Sequence, residues 1–329
     1  MQIVKGSERI VGLGASDPGA GKVIWAPKKS IWITFMTATG LSLAPSTFSW
    51  SALALFLFLT GVTLCAGHSV GMHRRLIHNS FSCPLWLEYV LVYLGVLVGM
   101  AGPFGMMRQH DLRDWAQRQK VCHDYLCHRR EIFLDYFWQV HCDIELDQPP
   151  GFVLEDRLQR DKVYRWMERT WMLQQAPLAL ALYFMGGWSY VIWGVALRVC
   201  VSVTGHWLVG HFAHHEYRET NDAMSWRVEN ASVQGRDVKI AGFISMGESW
   251  HNNHHAFPGS AKIGLFPGQP DPGWWFISLL ERMGLAWNIK TPANMAPRKE
   301  VVRLPDNGRG WKICQLRKLI WRRTFGRAQ

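Results

Sequence analysis

The sequence is most informative at first for what it lacks. Its seven cysteines, Cys65, Cys83, Cys122, Cys127, Cys142, Cys200 and Cys314, are scattered, odd in number and without Cys-x-x-Cys spacing. That argues against a disulfide framework and a zinc ribbon, and for reduced thiols. No phosphate-binding loop, dinucleotide fingerprint, His-Glu-x-x-His helix or serine elbow occurs, which removes the commonest nucleotide enzymes, zinc proteases and hydrolases. Repeats and low-complexity tracts are missing too. Acids are scarce, 25 against 36 Lys and Arg in 329 residues, a formal charge of +11. No nucleic-acid motif accompanies that charge, so no nucleic-acid partner is expected. A basic face beside anionic lipid on the cytoplasmic side is the alternative. Residues 1–29 contain no signal-peptide core and read as a cytoplasmic tail.

Long apolar runs are present. The hydrophobic fraction is 48% with 18 Trp, yet mean hydropathy is only -0.05, as when membrane spans alternate with charged segments. Residues 30–48 and 50–68 are uncharged and apolar, joined near Ala44-Pro45-Ser46-Thr47. Each approaches the ~20 residues that cross a bilayer as a helix, so together they predict a spanning hairpin. Residues 176–190 and 191–210 predict a second, interrupted at Gly186-Gly187, with Arg198 a costly group unless paired. Residues 84–102 are apolar apart from Glu88. Histidines on both sides of that stretch must share one side if they share a metal, so it is expected to lie in the membrane plane without crossing. Residues 129–172 suit a polar cytosolic cap, and 291–329 form a basic tail whose Trp311, Leu316 and Phe325 suit an anionic surface.

The histidines organise the rest. In Trp250-His251-Asn252-Asn253-His254-His255, three imidazoles at i, i+3 and i+4 share a helix face, and neutral imidazole is a common transition-metal ligand. His73 and His78 flank Arg74-Arg75 at the end of the first hairpin. His110 and Asp114 are an i, i+4 pair able to offer imidazole and carboxylate to one metal. His214 closes a run with His206, His211 and His215 at the end of the second hairpin; it is favoured as a ligand over His211. His123 faces away from His110 on a continuing helix, and His128, on the same face, would lie ~27 Å off. With His141, they are read as ordinary surface or hydrogen-bonded residues unless the helix breaks.

This order of hairpin, His-x4-His, second histidine box, hairpin, Trp207-Leu208-Val209 and Trp-His-Asn-Asn-His-His-Ala-Phe-Pro resembles the stearoyl-CoA-desaturase-like branch of the integral-membrane fatty acid desaturases, over about residues 30–290. The resemblance implies an all-α membrane protein of four transmembrane helices with a helical cytosolic cap. It implies two iron ions held by His73, His78, His110, Asp114, His214, His251, His254 and His255. O2 would be co-substrate, a fatty acyl lipid or acyl-CoA the substrate, and a separate carrier, ferredoxin-like or other, the electron donor. Two departures stand out. The family's second box is His-x-x-His-His, where this chain has Arg113 and Asp114 in place of two imidazoles. The family usually carries Asn where this chain has Gly210; His211 or His123 is available to compensate. A carboxylate for imidazole is compatible with iron; Arg113 is harder to place and is expected to pair with Asp114 or Asp111. The departures keep open a lipid hydroxylase, or a non-catalytic membrane protein with a degenerate site.

Overall fold

A computed structural model describes residues 9–12, 14–215, 224–295 and 300–305. The aromatic-basic stretch from Trp311 onward therefore lies outside the described residues. The chain is mostly helical. Helix α1, Pro27–Leu43, starts on a proline that needs no N–H partner at a first turn. Helix α2, Trp50–Ile77, is 28 residues long and is capped by Ser49, whose side chain accepts from the Ala52 N–H. Its C-terminal half, Thr63–Ile77, winds as a π-helix. Helix α3, Leu85–Val96, has 12 residues, about 18 Å of rise. It lies against α2 at glycines: a Cβ on Gly71 would meet the Leu91 carbonyl oxygen at 2.4 Å, and one on Gly67 the Gly95 nitrogen at 2.4 Å.

Helices α4 (Pro103–Gln117), α5 (Ile132–His141), α6 (Asp156–Arg160) and α7 (Lys162–Thr170) follow. Helix α8 runs from Gln175 to His214. It is interrupted at Gly186 and Gly187, the latter at φ 63 and ψ -155, a conformation open to glycine and costly to other residues. Short helices α9, His251–Ala256, and α10, Pro272–Arg282, complete the helical set. Among the described residues, two helices, α2 and α8, are long and apolar enough to cross a membrane. Near their turns α1 and α8 are tied together, Ser189 Oγ donating to the Thr47 carbonyl at 2.6 Å and Trp193 Nε1 to the Ala44 carbonyl at 3.2 Å.

Short strands accompany the helices among the described residues. Three two-stranded antiparallel sheets join β1 (Ile10–Val11) to β4 (Gly151–Phe152), β2 (Asp17–Trp25) to β3 (Cys142–Gln148) and β5 (Trp226–Val228) to β6 (Val301–Arg303). In β3, Cys142, Ile144 and Leu146 alternate with Asp143, Glu145 and Asp147; that period of two is a strand signal hidden in a segment that is polar on average. The N-terminal stretch, expected as a free tail, is tied into the fold by β1, by β2 and by Arg9. Buried Arg9 donates to the Leu76 and Ile77 carbonyls, both at 3.1 Å. It thus satisfies the open end of α2.

Buried charges are partnered throughout. Arg198 donates to the carbonyls of Gly194 and Leu97 and to Gln175 Oε1, each at 2.7 Å. Glu88, the one acid of the 84–102 stretch, accepts from Arg157 at 2.6 Å and Tyr164 at 2.5 Å and pairs with Arg75 at 2.5 Å. The six described cysteines are free.

Candidate metal centre

Helix winding explains the first pair of histidines. A spacing of five places His73 and His78 far apart around an α-helix, but on one face of a π-turn. The His78 N–H donates to the His73 carbonyl at 3.0 Å, closing such a turn. The two Nε2 atoms then lie 3.1 Å apart, and His110 Nε2, from α4, lies 3.3 Å from that of His78. His254 joins them from α9, its ring centre 4.6 Å from that of His73 and 4.9 Å from that of His78. These four form one convergent group.

A second group holds His214, His251 and His255. Their Nε2 atoms make a triangle of 3.0 Å (His251 to His214), 3.1 Å (His255 to His251) and 3.2 Å (His214 to His255). Helix α9 serves both groups, sending His254 to the first and His251 and His255 to the second. Its other side is fixed by two asparagines. Asn252 Oδ1 accepts from the Ser225 and Trp226 N–H groups, and Asn253 Nδ2 donates to the Ile263 carbonyl.

The chemistry of these donors suits metal. His214 Nδ1 lies 2.9 Å from the Gly210 carbonyl, so it carries the proton and Nε2 presents a lone pair. His73 Nδ1 lies 2.5 Å from Glu248 and His110 Nδ1 lies 3.2 Å from Asp111, with the same consequence. Nitrogens bound at about 2.1 Å to one metal at right angles lie about 3 Å apart, the spacing found in both groups. Burial, reinforced by neighbouring imidazoles, holds His251 and His254 well below their usual 6.5, in the neutral form a metal requires. Outer carboxylates of this kind orient metal-binding imidazoles. Burial would raise Glu248, but His73 and Arg74 beside it bring it well below the usual carboxylate range.

Comparison with known proteins agrees with this geometry. The family model described as fatty acid desaturase matches residues 48–261. The chain belongs to the fatty acid desaturase family. An sn-2 palmitoyl-lipid 9-desaturase of Nostoc sp. (strain 36) is 35% identical over 263 residues, 75% of this chain and 84% of the relative. An sn-1 stearoyl-lipid 9-desaturase of Anabaena variabilis is 32% identical over 79% of this chain and 93% of its own length. An acyl-CoA 5-desaturase of Anemone leveillei is 32% identical over 78% and 77%. The two long apolar helices among this chain's described residues fit a membrane protein, and its histidine groups fit a metal site.

The remaining candidates fall elsewhere. Asp114 is outside both groups and pairs with Arg118 one turn on; burial would raise its carboxyl, but Arg118 and His110 hold it down to about 2. Arg113 reaches neither Asp114 nor Asp111. Asp111 is taken by Arg9 at 3.0 Å, while Arg113 contacts His128 Nε2 and donates to Gln139 Oε1 at 2.6 Å. His123 lies in neither group and contacts the Tyr125 N–H. His211 lies with His128 and Asp135 in a third buried group. One oxygen of Asp135 faces His128 Nδ1 at 2.9 Å, His211 Nδ1 at 2.9 Å and Trp207 Nε1 at 2.8 Å. Burial would raise Asp135, but these donors outweigh it and hold it down to about 2. Sequence reasoning missed Glu248, Asp135 and Arg9. For Glu248 there was a cue, an acid two residues before Trp250 in a chain poor in acids; Arg9 and Asp135 carried none.

Proposed function

We propose that this chain is an O2-dependent fatty acyl desaturase with two irons, one at His73, His78, His110 and His254 and one at His214, His251 and His255. Two neighbouring sets of imidazoles, with Nε2 pairs 3.1 and 3.3 Å apart in the first and 3.0–3.2 Å in the second, are the observation that carries this reading. The relatives named above act on palmitoyl-lipid, stearoyl-lipid and acyl-CoA, so the substrate here is a fatty acyl lipid or acyl-CoA. Two C–H bonds on adjacent carbons break and a C=C bond forms. O2, two electrons from a separate carrier and two protons complete the balance as two waters. Bound iron supplies the oxidising power; the chain's own residues hold the imidazoles neutral and fixed, and keep bulk water from the reacting carbons.

Four spans suit the architecture: α1, the first two-thirds of α2, and the two halves of α8 on either side of Gly187. A belt of exposed Phe35, Leu57, Phe58, Leu180 and Phe184 on these helices is what lipid would cover. In this reading α3, at about 18 Å, lies in the membrane plane, and the metal site faces the cytoplasm with the basic excess.

Iron measurement on the purified chain, with lipid profiling of expressing cells, tests the proposal. Two irons per chain and a new product lacking two hydrogens are expected; His254→Ala abolishes product and lowers iron while membrane insertion persists. A product gaining one oxygen would make the enzyme a hydroxylase. Full activity of His254→Ala would remove the ligand assignment.

A further inference from the structure

The two candidate sites are unequal. Among the described residues the first gathers four imidazoles and the second three; Arg113 and Asp114 stand where two imidazoles belong in the resembled box, and Gly210 offers no side chain at all. A fourth imidazole stands beside the second group. His128 is fully buried and its ring stacks on that of His214, centres 5.6 Å apart and planes within 5°. Two imidazoles sharing one metal through Nε2 at about 2.1 Å have ring centres between about 4.5 Å, at right angles, and about 6.5 Å, when opposed. The His128–His214 spacing falls within that interval, and because a shared metal lies in the plane of both rings, the His128 ring must swing out of its parallel alignment to meet it.

Three features direct the ring there. First, a Cβ on residue 210 would sit 3.2 Å from His128 Nε2, so the glycine leaves the space the imidazole fills. Second, Asp135 accepts from the His128 Nδ1–H at 2.9 Å, which keeps the proton there and turns a lone pair outward at Nε2, the arrangement of a metal-binding histidine. Third, His128 has φ 52, a left-handed backbone that a residue with a side chain adopts at a cost and that persists where surroundings enforce it. Its carbonyl is held by His215 Nδ1 at 2.7 Å. Helix α4 ends at Gln117 and the following loop folds back; without that break His128 would lie far along the helix.

We propose that His128 is the fourth protein ligand of the second metal site, taking over in this chain what Gly210 and Arg113 no longer supply. Its Nε2 accepts from Arg113 and the ring belongs to the Asp135 group. To reach a metal at the second group, the ring would pivot on its Asp135 bond toward His214 and the guanidinium would withdraw to Gln139, already its partner. The inference rests on the two-iron reading above.

Iron per chain in the detergent-purified full-length protein, measured by elemental mass spectrometry, tests it. His128→Asn retains an amide donor near Nδ1 for Asp135 and removes Nε2, so a purely structural histidine would tolerate it. The expected result is two irons in the wild type, one in His128→Asn and one in His128→Ala, with two in Arg113→Gln. Two irons in His128→Asn would overturn the assignment and leave the two-iron reading standing. No iron in His128→Asn would overturn it as well, since the residue would then be supporting both sites. Fewer than two irons in the wild type would sink the underlying reading instead.

Discussion

At the scale of the residue, the site depends on groups that never reach the metal. Glu248 lies 2.5 Å from His73 Nδ1, accepts from Ser69 at 2.6 Å and lies 3.4 Å from Arg74. It fixes the proton on the outer nitrogen of a proposed ligand, leaving Nε2 to face the other imidazoles. Glu248→Gln is expected to weaken metal affinity by about 10–100-fold, read as iron retained against a graded chelator. Asp237 illustrates the opposite electrostatic situation. Burial raises its carboxyl to about 7, although backbone and side-chain donors, among them the Asn252 N–H at 3.0 Å, pull the other way. Its folded-state value exceeds the ordinary 3.8, so between these values the folded chain holds a proton that the unfolded chain has lost. Stability therefore falls as pH rises from about 4 to 7. Asp237→Asn is expected to flatten that slope in melting curves of the detergent-solubilised protein.

Elements carry the next level of the argument. The π-winding of Thr63–Ile77 converts a spacing of five into shared orientation, and the glycines of its inner face let α3 approach backbone to backbone. Gly71→Val drives a side chain into the Leu91 carbonyl; overpacking of this kind costs about 1–3 kcal/mol or more. A lowered melting temperature with coupled loss of iron is the expected outcome, because α2 carries His73. The histidine boxes themselves were legible in the sequence, since offsets of three and four on a short helix leave little freedom of direction. His110 could be read with them only by assuming that the chain between comes back to the same side. His128 could not, for its position depends on where α4 stops and how residues 118–131 turn, which is decided by long-range contacts. The strands were overlooked because β2 and β3 pair across more than a hundred residues, a partnership that no local pattern announces. Arg113 was misjudged for a related reason: the acids nearest in sequence, Asp111 and Asp114, are already engaged by Arg9 and Arg118.

At the scale of the whole molecule, apolar surface and buried charge are segregated. Exposed aromatics and aliphatics ring α1, α2 and α8, while Arg9, Arg74, Arg198, Glu88 and Asp135 are fully enclosed. Such a belt is stable only against hydrocarbon, so the protein is expected to remain in the membrane pellet after an alkaline carbonate wash; release into the supernatant would contradict the spanning assignment. The two long apolar helices were legible because uncharged runs of this length have few other uses. The seat of the metal groups was not, since no single segment contains one.

Helix α2 has 28 residues, more than the ~20 that cross a hydrocarbon layer of about 30 Å. In the spanning reading the surplus falls at its C-terminal end, which carries His73. The element that anchors the chain in lipid is then the same one that lifts its first imidazole group clear of the hydrocarbon.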